Sequence, residues 1–121
     1  MKKIYHLSSC DTNRKIINRL GGLKGFDRQE IKSTPITAEQ LKAMRERSGS
    51  YEALFSRRAM KYKTMNLKDK KLTERDYRSL ILSEYTFLKR PVIVYNDQIY
   101  IGNAESVIGE LEKILKKKST D

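Results

Sequence analysis

The chain carries a single cysteine, Cys10, in the run His6-Leu7-Ser8-Ser9-Cys10-Asp11-Thr12-Asn13-Arg14-Lys15. Thiolate is the nucleophilic form of cysteine, and a helix N-terminus favours it through unpaired N–H groups and the positive end of the macrodipole. Arg14, one helical turn further on, and Lys15 bring positive charge, and Ser9, Thr12 and Asn13 bring further hydrogen-bond donors. Asp11 opposes them unless it turns outward. The same N–H groups cradle an anion whatever the side chains around them. A tetrahedral oxyanion beside a thiolate suits arsenate or phosphate chemistry, whereas a disulfide substrate needs only the thiolate and an open face. The alternative is a buried cysteine packed as a small hydrophobe. Polar residues on both sides of Cys10 argue against that.

Three further positions carry chemistry of their own. His6 stands four residues before Cys10 and, taken alone, reads as a strand histidine with a hydrogen-bond partner. Arg57 and Arg58 are adjacent, and adjacent arginines are usually solvated, so alone they say little. Arg90 precedes Pro91, and a proline that opens a strand after a loop is a candidate cis peptide, since cis bonds are nearly confined to X–Pro.

The elements that must hold these residues can be read from periodicity. Lys3 to Leu7 reads as a strand, and Asp11 to Leu20 as a helix with Ile16, Ile17 and Leu20 on one face, stopped by Gly21-Gly22. A second strand is expected near Phe26 to Ile31. Cys10 then falls at a loop–helix junction of a β-loop-α-β unit. Thr37 with Gln40 forms a capping box for a helix to about Arg47, which Ser48-Gly49-Ser50 breaks. A short helix near Tyr51 to Phe55 and an unpatterned basic stretch to Asn66 precede a helix begun by Thr73 and Asp76. Pro91 to Tyr95 and Gln98 to Ile101, joined by Asn96-Asp97, read as a hairpin with a two-residue turn. Ala104 to Lys118 reads as an amphipathic final helix. This order, β-α-β, a helical segment, then β-β-α, is an α/β layout with helices packed on one sheet.

Composition narrows the function. The 121 residues amount to one domain, able to bury a modest core without staples. One cysteine excludes an intramolecular disulfide and a Cys-rich zinc site, and with one histidine the chain offers poor material for a transition-metal site. No metal or bound cofactor is expected, and any redox chemistry must use Cys10 with a thiol from outside. The net charge of +11 favours anionic partners, namely oxyanions, acidic proteins or nucleic acid, although a lysine-rich solvated surface would give the same figure. The basic residues are spread along the chain, and the densest run, Lys116-Lys117-Lys118, lies in the tail, so nucleic acid is not expected as a direct ligand. No apolar run approaches the roughly 20 residues of a membrane span, and the N-terminus lacks the long apolar region of a signal peptide. The expected location is therefore the cytoplasm.

Taken together these residues resemble the arsenate reductase (ArsC) family of thioredoxin-like proteins, whose bacterial relatives include Spx-type transcription regulators and YffB-type proteins. The resemblance rests on Ile4-Tyr5-His6, Cys10-Asp11-Thr12 with Arg14-Lys15, Ser56-Arg57-Arg58 with Tyr62-Lys63, and Phe87-Leu88-Lys89-Arg90-Pro91-Val92-Ile93-Val94 followed by Gly102. It implies a single domain over residues 1–121 with a thioredoxin-like, glutaredoxin-type mixed sheet flanked by helices. A helical insert after the second strand would span about residues 37–85. It implies Cys10 as nucleophile, and Arg90 as the arginine before the cis-proline, Pro91. Arg58 would be the insert arginine by its spacing to Tyr62, with Arg57 the alternative because spacing differs among the reductases. His6 matches the histidine of glutaredoxin-coupled arsenate reductases, and Arg14 and Thr12 would support the site. Glutathione, glutaredoxin or thioredoxin would be the external reductant, acting on an oxyanion or a mixed disulfide. The other branch implies a regulator that binds RNA polymerase. Two departures stand out. Gly102 occupies the position of the reductases' third arginine, and Asn13 replaces the second cysteine of the Spx Cys-x-x-Cys switch.

Overall fold

The structure, a computed structural model, describes residues 1–120. It divides into two compact units, one formed by Met1–Glu30 with the segment from Arg90 onward, the other by Ile31–Lys89.

The first unit is a mixed sheet. Strands β1 (Lys2–His6), β2 (Asp27–Glu30), β3 (Val92–Tyr95) and β4 (Gln98–Ile101) lie in the order β2-β1-β3-β4. Strand β1 pairs in parallel with β2 and antiparallel with β3. A parallel pair needs a crossover, here helix α1 (Asp11–Arg19). The Asn96-Asp97 turn closes the β3–β4 hairpin, with Asn96 in the left-handed region (φ 56°) that Asn tolerates better than most residues. Ile4 and Ile93 face each other across β1–β3. With Tyr95 and Tyr100 they form an apolar face covered by Ile16, Ile17 and Leu20 of α1 and by Ile108 and Leu111 of α5 (Glu105–Thr120). Tyr5, Val92 and Val94, on the opposite face by alternation, are buried as well. The edge strand β2 is Asp-Arg-Gln-Glu, a charged edge that discourages pairing with another chain.

The second unit holds α2 (Ala38–Ser48), α3 (Met60–Thr64) and α4 (Glu74–Ser83), with short 3-10 turns between them. Both expected capping boxes form. Thr37 Oγ1 accepts from Gln40 N at 3.1 Å while Gln40 Oε1 accepts from Thr37 N at 3.0 Å, and Thr73 and Asp76 do the same for α4. Gly49 ends α2 with φ 92°, a left-handed conformation that glycine adopts without steric cost. Phe55 anchors the unit. Its ring lies 5.1 Å from Phe87 in a stack and 4.9 Å from Tyr77 in a tilted contact. Backbone bonds from Ser56 N to Phe87 O (2.7 Å) and from Lys89 N to Leu54 O (2.8 Å) close the loop around it. The stretch to Asn66 that showed no pattern in sequence contains α3, and a 3-10 turn at Leu67–Asp69 follows it. Helix α3 has five residues and buries none of them, so it leaves no apolar stripe to read. No described helix is long and apolar enough to cross a membrane.

The capping geometry sets a first expectation. Thr73→Ala removes one acceptor and frees its Asp76 partner, and should cost about 1 kcal/mol of stability. Urea denaturation monitored by circular dichroism checks this, and Thr73→Ser should recover most of the loss.

Candidate functional site

Cys10 is the N-cap residue of α1, in extended conformation (φ −88°, ψ 116°), and is half-exposed. The helix begins at Asp11, so Cys10 stands at the positive end of the dipole, and its side chain makes no capping hydrogen bond to the first turn. Residues 7–10 form a tight loop whose polar groups are closed one by one. Leu7 N donates to Asn13 Oδ1 (2.9 Å), and Leu7 O accepts from Cys10 N (3.0 Å). Ser8 N and Ser8 Oγ each donate to Glu30 Oε2 at 3.0 Å, and Ser8 O accepts from Arg14 Nη1 at 2.8 Å. Asn13 is 1% exposed, so its amide braces the loop from inside. In sequence Asn13 reads as a further donor around the thiol; the structure uses its oxygen as an acceptor for the backbone.

Arg14 differs from expectation in a second way. Its guanidinium pairs with the Asp11 carboxylate and bonds Ser8 O, so Asp11 offsets much of the charge Arg14 brings. Both side chains are more than half exposed, and the pair's main effect is local geometry. Thr12 lies in the first turn of α1, next to the cysteine.

The sheet register gathers the remaining unit-one residues at one end. His6 lies opposite Glu30 in the β1–β2 pair, and Tyr5 opposite Val92 in the β1–β3 pair. Arg90 and Pro91, directly before Val92, therefore come to the end of β1 that leads into the Cys10 loop. The Arg90–Pro91 peptide bond is cis. Arg90 Nη1 is buried and has no hydrogen-bond partner among the described residues. A buried cationic donor without an acceptor is costly, and an anion would remove that cost. Gly102 N donates to Pro91 O at 2.8 Å, which brings the end of β4 to the same corner. Gly102 has φ 83°, and a Cβ placed there would meet nothing within 4 Å.

His6 is half-buried at this end. Burial lowers its pKa from the usual 6.5, Arg28 adds to the lowering, and the Glu30 carboxylate opposes both. Neutral imidazole is then the form present at pH 7, able to donate from one ring nitrogen and accept at the other.

The two insert arginines separate clearly within the second unit. Arg57 Nη2 bonds Glu52 Oε2 (2.9 Å) and the Tyr77 hydroxyl (3.0 Å), and its guanidinium lies 5.7 Å from the Tyr77 ring centre. The Glu52 hydrogen bond raises the Arg57 pKa above its ordinary value, against the desolvation that would lower it. Arg58 is exposed, and its side chain has no hydrogen-bond or ion-pair partner among the described residues. Sequence spacing could not separate the two, because the discriminating partners, Glu52 and Tyr77, lie 5 and 20 residues from Arg57.

A family model, that of the ArsC family, matches residues 5–119. The chain belongs to the ArsC family. Membership agrees with the resemblance read from the Cys10 loop and the Arg90-Pro91 strand, and the fold is the thioredoxin-like one with a helical insert after the second strand. Among curated relatives, the uncharacterized protein YusI of Bacillus subtilis (strain 168) is 30% identical over 110 residues, spanning 88% of this chain and 93% of that protein. The regulatory protein MgsR of the same strain is 28% identical over 118 residues, spanning 95% and 90%. The solved structure of a possible arsenate reductase from Streptococcus mutans UA159 superposes with a TM-score of 0.73 at 26% identity, covering 93% of this chain and 98% of that one. The family thus includes proteins described by reduction and by regulation, and fold alone does not choose between them.

The lowered His6 pKa predicts a pH dependence of stability. Between the folded value and 6.5 the unfolded chain holds more protons than the folded one, so stability should fall as pH drops from 6.5 into that window. It should level off once folded His6 is protonated too. His6→Gln should flatten that slope, as measured by chemical denaturation across pH 5 to 7.5, roughly one unit either side of the histidine range.

Proposed function

We propose that this ArsC-family chain is a thiol-dependent reductase with Cys10 as nucleophile and Arg90 and Arg58 as its anion-binding arginines. The observation that carries the proposal is the buried, unpartnered Arg90 Nη1 at the sheet end that leads into the Cys10 loop. An arginine fork matches a tetrahedral oxyanion or a carboxylate of glutathione, and it supplies fixed positive charge where negative charge collects. Arg58 is preferred to Arg57 because Arg57 is committed to Glu52 and Tyr77.

With arsenate, the Cys10 thiolate attacks arsenic and one oxygen leaves as water after protonation. Two external thiols then release arsenite and become a disulfide, so arsenic gains the two electrons that the thiols lose. With a glutathione mixed disulfide, Cys10 attacks the glutathione sulfur and the substrate thiolate leaves. A second glutathione then frees Cys10 and departs as glutathione disulfide. Both routes need a resolving thiol from glutathione, glutaredoxin or thioredoxin, since the chain has one cysteine. Gly102 in place of a third arginine favours the mixed-disulfide route, which needs less charge neutralisation.

The decisive assay offers arsenate and a glutathionylated substrate in turn, with glutathione and glutaredoxin supplied. Wild type should turn over at least one of them, and Cys10→Ser should abolish that turnover. Arg58→Ala or Arg90→Ala should lower kcat/KM by roughly 10²-fold, while Arg57→Ala should mainly lower thermal stability. Turnover by Cys10→Ser equal to wild type would remove the proposal.

A second reading has its own support, the 28% identity to MgsR over 95% of the chain. On that reading the fold is a docking surface for RNA polymerase, and Cys10 senses oxidants by pairing with an external thiol. Affinity capture from a bacterial lysate should then retain RNA polymerase subunits, and their absence from the bound fraction would count against it.

A further inference from the structure

At the opposite end of α1 from Cys10, about 14 Å along the helix, the first unit holds a groove that the thiol chemistry does not use. It is an open cavity of about 340 Å³ between the end of α1, the Gly21–Leu23 turn and α5. Leu20, Leu23, Phe26 and Leu115 line its apolar part, and Lys24, Lys116 and the Glu112 carboxylate are in its polar part. The volume is about twice that of a cavity holding one benzene ring, at ~150 Å³, and so has room for two bulky apolar side chains.

Two features suggest that this shape is more than an accident of packing. Leu23 is buried with φ 50°, a left-handed conformation that is an outlier for a bulky side chain. Gly21, Gly22 and Gly25 take up left-handed turns around it without steric cost (φ 73°, 81° and 81°), so the strain of this hook is concentrated in Leu23. Such strain persists only where the surrounding structure holds it, and it clusters at binding sites. The second feature is charge. The carboxylates nearby are already used: Arg19 bonds Glu105 through both terminal nitrogens (2.7 and 2.8 Å) and Glu112 at 3.3 Å, and Lys116 Nζ lies 3.9 Å from the other Glu112 oxygen. Lys24 is exposed and pairs with no carboxylate among the described residues, so it is the cation of this groove left for an incoming anion.

We propose that this groove docks an acidic peptide segment of a partner protein, with two adjacent bulky apolar residues seated on Leu20, Leu23, Phe26 and Leu115 and a flanking carboxylate on Lys24. A second copy of the chain is the wrong partner, because each copy carries a net charge of +11. The proposal stands apart from the reading of Cys10 and does not depend on it.

The test is a proton–nitrogen correlation NMR titration of the full chain with three synthetic peptides. One carries a Leu-Phe pair flanked by Asp and Glu, one has those acids replaced by their amides, and one keeps the acids but has Ala for Leu-Phe. The first should shift signals of residues 20–26 and 111–116 saturably, and each control should bind about fivefold more weakly or less. Lys24→Glu, at an exposed site, should weaken the first peptide about fivefold with an otherwise unchanged spectrum. Leu115→Glu should abolish its binding. The proposal is overturned if the amide peptide binds as well as the acidic one, or if no peptide moves these signals. It is also overturned if the same signals shift with protein concentration alone, which would assign the groove to self-association.

Discussion

Strand β1 is committed on every side. Its edges pair with β2 and β3, and Ile4 and Tyr5 on its two faces are 0% and 4% exposed. Five residues therefore have one acceptable register, because a slip by a single residue would exchange the faces of Ile4 and Tyr5 throughout the sheet. The parallel partner forces the chain to leave β1 and cross over through α1, and Cys10 lies on that exit. The same register brings Glu30 and Arg90-Pro91 to that end. The candidate site is thus a consequence of how a short central strand is satisfied, and its components come from three separate stretches of sequence.

This explains what could be read in advance and what could not. Local signals were strong where chemistry is local. The two capping boxes, the Gly21-Gly22 stop and the Asn96-Asp97 turn each follow from residues within a few positions of one another, and each forms as expected. The start of α1 at Cys10 belongs with them. The misses depend on distant partners. Glu30 clamps Ser8 across 22 residues, and Tyr77 claims Arg57 across 20, neither of which a spacing rule can supply. Helix α3 escaped because it buries nothing. Asn13 was misjudged for a different reason: a polar side chain beside a reactive group reads as a donor to that group, yet a loop this tight has backbone N–H groups that need acceptors first.

The charged side chains follow the same logic of prior commitment. Asp11 claims Arg14, Glu52 claims Arg57, and Glu105 with Glu112 claims Arg19. In a chain with 26 basic and 15 acidic residues, the carboxylates decide which cations are left available, so the unclaimed ones carry more information than the total. Arg58, Arg90 and Lys24 are among the cations that no carboxylate claims among the described residues, in different parts of the chain.

Gly102 gives this corner of the sheet a bearing on how the protein could evolve. A Cβ placed at that position would meet nothing within 4 Å, so space at the first side-chain atom does not oppose a larger residue. What opposes it is the backbone, held at φ 83° with its N–H on Pro91 O. Any side chain other than glycine would pay roughly 1–2 kcal/mol for that conformation. A lineage acquiring a third arginine here would cross a stability valley before gaining any benefit, unless the β4 end were first reshaped. The fold thereby works as a ratchet on sequence, with one backbone angle holding this corner of the sheet to glycine.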